Sequence, residues 1–317
     1  MLMVVLSSIV IAAVTSWGLL RALIPLLSRR LLDQPNARSS HRLATPRGGG
    51  VSFVLVSSLA LAWLGSWLTL LCLPLALVGF LDDRHNLPAS LRYGVQVSTA
   101  LILLLISPLH AFAIGLLPWL LLLIAGTAVI NFTNFMDGLD GLVAGSMAVV
   151  LTAAALTGMP ELWPLVGSLL GFLIWNWSPA KVFMGDVGST FLGAVFAGVL
   201  FQQASFQAAL GLLLVATPLW ADACLCVLRR FFAGQRVFQA HRLHLFQRLH
   251  QVGWSHGRVA GLYVAATAVL GIALLAGGWL LVFGLAVAVV VIGVWLDQKV
   301  AVSFALAAET TSHSPQV

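Results

Sequence analysis

The sequence is poor in charge. Only 8% of its 317 residues are Asp, Glu, Lys or Arg, against about 25% in a soluble domain, so it has too little polar surface to cover itself in water. Cysteine is scarce. Cys72, Cys224 and Cys226 all fall in apolar runs, which excludes a disulfide framework. Cys224 and Cys226 point to different sides of a helix and are expected to be small core residues, not metal ligands. There is no Walker phosphate loop and no Rossmann glycine fingerprint, so the ordinary nucleotide-binding folds are unsupported. No solenoid period and no convincing inverted repeat is present.

What is abundant is apolar length. Hydrophobic residues make up 60% of the chain and the mean hydropathy is +1.02. Many runs approach or exceed the roughly 20 residues that cross a bilayer. Such spans must be helices, because lipid offers backbone groups no hydrogen-bond partner, and the runs lack the alternation of barrel strands. The expected fold is all-α, a polytopic integral membrane helix bundle. About eleven spans are expected, near 4–27, 48–65, 67–81, 93–108, 117–134, 141–157, 161–177, 188–203, 206–228, 258–277 and 279–296. A single bent hairpin in place of the second and third would give the same parity. The first has no basic residue before Arg21 and no clear cleavage site, so it is expected to remain as a span. Residues 1–296 form the membrane domain, and 297–317 are expected to be a tail without structure.

The basic residues orient this map. With the N-terminus outside, the inward loops are 28–47, 82–92, 135–140, 178–187, 229–257 and the tail from 297. Fifteen of the 16 Lys and Arg residues lie in or border these segments, and Arg21 lies in the inner half of the first span. The C-terminus and the charged face are therefore expected in the cytoplasm, where anionic headgroups or phosphorylated substrates would meet them.

Ten acidic residues remain to be placed, and most join that face. Asp82 and Asp83 end the third span, Asp137 and Asp140 the fifth, and Asp186 precedes the eighth, whereas Glu161 falls outside. Carboxylates beside hydrocarbon are costly, which makes them functional candidates. An adjacent pair such as Asp82-Asp83 repels itself unless a cation lies near. Asp222, inside the ninth span, is expected to pair with Arg229 or Arg230.

Four segments can be read chemically. Asp82 to Gln96 puts a carboxylate pair, Arg84 and Arg92 in one turn. In Asn131-Phe-Thr-Asn-Phe-Met-Asp-Gly-Leu-Asp-Gly141, Asn131, Asn134, Asp137 and Asp140 recur every third residue and form a polar arc at a helix end. Helix capping is the plainer alternative for the two asparagines. Lys181 to Ser189 sets Asp186 at a helix N-terminus, where N–H groups can hold phosphate. His241-Arg-Leu-His-Leu-Phe-Gln-Arg248 gathers two histidines and two arginines. His85, His110 and His256 are expected at the surface or interface. Hard oxygen donors without a Cys/His cage suit Mg²⁺ bridging phosphates. Metal-assisted phosphoryl transfer at the inner membrane surface is the chemistry these parts share.

In this order and spacing, the four segments resemble the polyprenyl-phosphate N-acetylaminosugar-1-phosphate transferases. The resemblance covers about residues 33–250 and takes in the first polar loop, Asp33-Gln-Pro-Asn-Ala-Arg-Ser-Ser-His-Arg-Leu-Ala-Thr-Pro-Arg-Gly-Gly-Gly50. It implies transfer of a sugar-1-phosphate from a UDP-N-acetylaminosugar to undecaprenyl phosphate, with Mg²⁺ required and UMP released. By resemblance, Asp186 is the Mg²⁺ ligand and Phe183 stacks on the uracil. Asn131, Asn134, Asp137, Asp140 and Asn176 line the nucleotide site, and Asp82 and Asp83 sit near the lipid phosphate. Arg47, Arg92, Lys181, His241, Arg242 and His244 hold diphosphate charge. The Ala-His-Arg-Leu-His-Leu-Phe-Gln loop is similar to the O-antigen branch that uses UDP-FucNAc or UDP-QuiNAc, with Phe246 in place of a tyrosine; UDP-GlcNAc remains a further donor, and the cell-wall pentapeptide substrate is not expected. Membrane lipid is an expected partner, a homodimer is allowed for, and nucleic acid is not expected. The rival class is an ion- or proton-coupled transporter, which would place its carboxylates near the midplane instead of at the inner helix ends.

Overall fold

A computed structural model describes residues 2–35, 40–41, 43–109, 115–235 and 241–312; His110 lies outside these. The elements are α1 (Leu2–Arg30), β1 (Leu32–Asp33), β2 (Thr45–Pro46), α2 (Val51–Trp63), α3 (Leu68–His85), α4 (Ala89–Leu105), α5 (Leu116–Met136) and α6 (Leu142–Leu156). They continue with a 3-10 turn (Pro160–Leu162), α7 (Trp163–Asn176), α8 (Asp186–Phe201), α9 (Phe206–Val215), α10 (Thr217–Phe232), α11 (Leu245–Gln251), α12 (His256–Lys299) and α13 (Phe304–Ser312). This is an all-α bundle. Its strand pair, unforeseen in the sequence, joins Leu32 to Pro46 and Asp33 to Thr45 antiparallel, and so pins both ends of the first polar loop.

α8 is the hub. Every residue from Val187 to Phe201 is buried, and it packs against α3, α4 and α5. A helix that is apolar all round belongs at a core. Large apolar side chains on the outer helices are instead exposed, among them Ile11, Leu59, Leu117, Ile124, Ile272 and Val291. An apolar belt of this kind suits a lipid surround.

On length and apolarity, α1, α5 and α12 can each cross a bilayer, and the pair α9–α10 makes a fourth if counted as one span; α2, α4, α6 and α8 are shorter apolar helices. Residues 48–81 form two helices, α2 and α3, rather than one bent span. The single span expected at 206–228 is corrected: it breaks after Val215 and bends by 81°. Pro218 has no N–H to continue the ladder and explains the break. Gly278, at φ 69° and ψ −166°, interrupts α12. In a straight helix, Leu262 and Asp297 would lie about 52 Å apart, yet both line one cavity, so the chain turns back at Gly278. Residues 297–312 are the described part of the expected tail. They carry α13, with Ala307 buried and the Phe304 ring 5.9 Å from the Arg229 guanidinium.

Candidate active site

Asp82 and Asp83 end α3, and both are buried. Asp82 accepts from Leu87 N–H at 2.6 Å and from Arg92 Nη1 at 2.8 Å, closing the turn to α4. Asp83 faces the other way. Its two oxygens accept from Asp186 N–H at 3.1 Å and Val187 N–H at 3.3 Å, which caps α8 and sets a negative charge against its positive end. Arg47 Nε lies 3.7 Å from Asp83 Oδ1, and Arg47 Nη2 donates to the Asp83 carbonyl. Each member of the pair thus has its own arginine, which offsets their mutual repulsion.

The Gly48-Gly49-Gly50 run positions Asp186. Gly49 and Gly50 N–H donate to Phe183 and Met184 carbonyls, both at 2.9 Å, and Phe183 N–H donates to the Pro46 carbonyl at 2.8 Å. A Cβ on Gly50 would sit 2.5 Å from Gly188 Cα, so only glycine permits this backbone contact. Gly185, at φ +76°, turns the chain into α8, and a Cβ there would meet Asp83 Oδ2 at 2.4 Å.

Two cavities meet at Asp186. The larger, about 300 Å³, is lined by Asp33, His41, Arg47, Asp83, Asp137 and Asp140, with Asn176, Phe183, Gln247, His256 and Asp186 among the rest. The smaller, about 40 Å³, is lined by Leu75, Val78, Asp82, Arg92, Gln96 and Asn131, with Asn134, Asp186 and Thr190. The adjacent Asp82 and Asp83 therefore serve different cavities. The Asp186 carboxyl is in hydrogen-bond contact with that of Asp82 and 3.9 Å from Arg92 Nη1.

In the larger cavity, Asn176 stitches two loops, accepting from Gly141 N–H at 3.1 Å and donating to the Val182 carbonyl at 3.0 Å. The Phe183 ring meets His41 edge-on, with centroids 4.8 Å apart. Asp140 accepts from Ala180 N–H at 3.1 Å and faces His256 Nδ1 at 3.0 Å. Burial, then the charges of Asp83 and Asp140, push Asp137 up to about 7. Asp140 moves oppositely: against the upward push of burial, the hydrogen bond and charge of His256 hold it below the usual carboxylate range. In the smaller cavity, Asn131 donates to Gln96 Oε1 at 2.6 Å and Asn134 accepts from Ser189 Oγ at 2.8 Å. Both reach across helices, and Asn131 also donates to the Thr127 carbonyl of its own helix at 3.1 Å; neither caps a helix N-terminus.

Other residues singled out in the sequence lie elsewhere. Lys181 is exposed, its Nζ 5.3 Å from the centroid of the Trp175 ring. His241, Arg242 and His244 line neither cavity, and His244 is buried at 2% exposure. Asp222 does not make the expected pair with Arg229 or Arg230. It accepts from Tyr263 OH at 2.7 Å and from Leu245 N–H at 2.7 Å, while Arg229 meets Asp297 at 2.5 Å. His256, expected at the surface, instead reaches into the larger cavity, with Nε2 3.2 Å from the Ser40 carbonyl. Gln247 was missed also. The one local signal for His256 was its place at a helix start, capped by Ser255.

Hard oxygen donors converge at Asp186, Asp82 and Asp83. Carboxyls this close repel unless protonated or shared by a cation, and this donor set suits Mg²⁺, which takes one or two carboxylates and completes its shell with water and phosphate.

A family model described as glycosyl transferase family 4 matches residues 65–203. The phospho-N-acetylmuramoyl-pentapeptide-transferase of Synechococcus sp. (strain JA-3-3Ab) is 33% identical over 290 residues, covering 78% of this chain and 85% of that protein. The decaprenyl-phosphate N-acetylglucosaminephosphotransferase of Mycobacterium leprae (strain TN) is 32% identical over 298 residues, covering 75% of each. The probable undecaprenyl-phosphate N-acetylglucosaminyl 1-phosphate transferase of Bacillus subtilis (strain 168) is 27% identical over 283 residues, covering 78% of this chain and 79% of that protein. None of these three is named as a transporter.

Proposed function

The chain belongs to glycosyl transferase family 4, and on that premise we propose that it moves an N-acetylaminosugar-1-phosphate from a UDP-sugar to undecaprenyl phosphate. UMP is released and a lipid-linked diphosphosugar is left in the membrane. The observation that carries this reading is the position of Asp186 at the junction of two polar cavities. The larger takes the soluble donor, with Phe183 against the base and Arg47 toward the diphosphate. The smaller, with Leu75 and Val78 in its wall, takes the lipid phosphate beside Arg92.

The transfer forms a bond from a lipid-phosphate oxygen to the sugar-bearing phosphorus. The bond from that phosphorus to the bridging oxygen breaks, and UMP leaves with the electron pair. Asp186 would hold Mg²⁺, which when bound supplies positive charge to the diphosphate. Asp82 keeps Arg92 in place, and Asp83 fixes the first turn of α8. The oxygens of both accept hydrogen bonds already, which favours direct attack by the lipid phosphate over an aspartyl intermediate. The one-sided basic loops support a cytoplasmic active site in a bacterial inner membrane.

The His241 loop supports a 6-deoxyhexosamine donor, UDP-FucNAc or UDP-QuiNAc, feeding O-antigen synthesis, with UDP-GlcNAc next. The test is UMP release by the purified chain with Mg²⁺, undecaprenyl phosphate and these three donors, with UDP-MurNAc-pentapeptide as a fourth. Release with one of the first three is expected. Release with the pentapeptide alone overturns the donor assignment, and no release from any of the four overturns the reaction.

A further inference from the structure

The buried polar cluster behind α11 lines neither of the two cavities that meet at Asp186. Cys226 of α10 is 4% exposed and His244, which caps α11, is 2% exposed; His241 completes the group. One ligand atom from each lies within 4.8 Å of the other two. The His241 and His244 rings stack with centroids 5.0 Å apart, and the Cys226 thiol is in hydrogen-bond contact with the His244 imidazole. Behind His244 stands Asp222, its Oδ1 3.6 Å from His244 Nδ1. Its orientation is fixed by the Tyr263 hydroxyl at 2.7 Å and the backbone N–H groups of Leu245 and Phe246 at 2.7 and 3.1 Å.

We propose that Cys226, His241 and His244 form a thiolate–imidazole site for a borderline-soft divalent metal, Zn²⁺, distinct from the oxygen-donor site at Asp186. Three features carry this. The donor set is a thiolate with two imidazoles, which selects Zn²⁺ over Mg²⁺. Donors on a tetrahedral zinc stand about 3.3–3.6 Å apart, so donors already within 4.8 Å need only a small closure. Asp222 Oδ1 faces His244 Nδ1 at 3.6 Å, on the side from which a carboxylate orients a ligating histidine whose Nε2 is left for the metal. The fourth position is left to water, and half-buried His241 gives the approach. Metal binding expels the thiol proton and any imidazole proton to solvent. Arg230 sits near Cys226 and His241 and opposes a cation; the thiolate and Asp222 offset it.

The site would work as a clasp. It ties α10 to the loop that enters α11, and α11 presents Gln247 to the larger cavity. Occupancy would therefore hold one wall of that cavity without touching the reacting atoms.

The test uses the full chain, purified in detergent on a tag without histidines and stripped with chelator. Titration with Co²⁺ should give one equivalent of tetrahedral signal with a thiolate-to-metal charge-transfer band, and Zn²⁺ should displace it and raise the Tm. Cys226→Ser should remove the charge-transfer band, and His241→Ala should weaken binding by about tenfold or more. Cys224→Ser, two residues away and half-buried, should change neither. The proposal is overturned if the folded wild type gives no charge-transfer band, if the band survives in Cys226→Ser, or if His241→Ala binds as tightly as wild type. Should Cys226→Ser fail to fold, the His241→Ala result decides.

Discussion

The two cavities that meet at Asp186 differ in their walls. The larger is lined almost wholly by loop residues and helix ends, including Asp33, His41, Phe183 and His256. The smaller is framed by the sides of α3, α4, α5 and α8, with Leu75 and Val78 beside Arg92 and Asn134. A water-soluble donor needs many adaptable polar groups at an open mouth. A lipid phosphate needs few, because its tail stays in hydrocarbon and only its head must be held. In the proposed reaction one substrate goes to each side, with Asp186 common to both.

The largest effect should come from the shared residue. Asp186→Asn is expected to lower UMP release by about three orders of magnitude or more, on the scale of losing a group that acts in the transition state, and to remove the response to Mg²⁺. Survival of rate and Mg²⁺ response would show that the cavities do not share a centre. The two sides should then separate. Phe183→Ala is expected to raise the donor KM about 5- to 160-fold, as loss of a base stack worth about 1–3 kcal/mol requires, with the lipid KM unchanged. Arg92→Gln should do the reverse. If both variants moved both constants equally, the division of substrates would fail.

Smaller effects test the scaffold. Gly50→Ala forces a Cβ to within 2.5 Å of Gly188 Cα and should cost about 1–3 kcal/mol of stability, read as a lowered Tm. His244 gives a pH signature in the metal-free chain. Against burial, which lowers it, the bond and charge of Asp222 raise this imidazole to about 9. Its folded value lies above the unfolded value of about 6.5. Its contribution is therefore complete below pH 6.5 and lost as pH rises through 9. The Tm should fall across that window, and His244→Phe should flatten the fall. Glu161→Gln should change almost nothing. Glu161 lies beyond the far end of α6, a helix of 15 residues and so about 22 Å long that starts beside Asp140.

Much of this was legible in the chain. Gathering of charge at one set of helix ends foretold that Asp82, Asp83, Asp137, Asp140 and Asp186 would converge, and they line two adjoining cavities. What local pattern could not supply was long-range return. His256 reaches Asp140 only because α12 begins beside the α5–α6 turn, 116 positions later in sequence. His244 reads as a surface ligand until the fold closes Asp222 and Cys226 around it. The bend after Val215 was written in Pro218 and overlooked inside a long apolar run. The strand pair at Asp33 has only two residues a side, too short to show a period.

α8 is walled by protein along its whole length, and Asp186 is its first residue. That residue cannot shift without carrying α3, α4 and α5 with it. In the proposed reaction Asp186 is a fixed post, while much of the larger cavity's wall is loop. Divergence in donor choice can then accumulate in those loops while the post stays put, so a new sugar specificity should be reachable by grafting loop segments into this chain with the helical frame untouched.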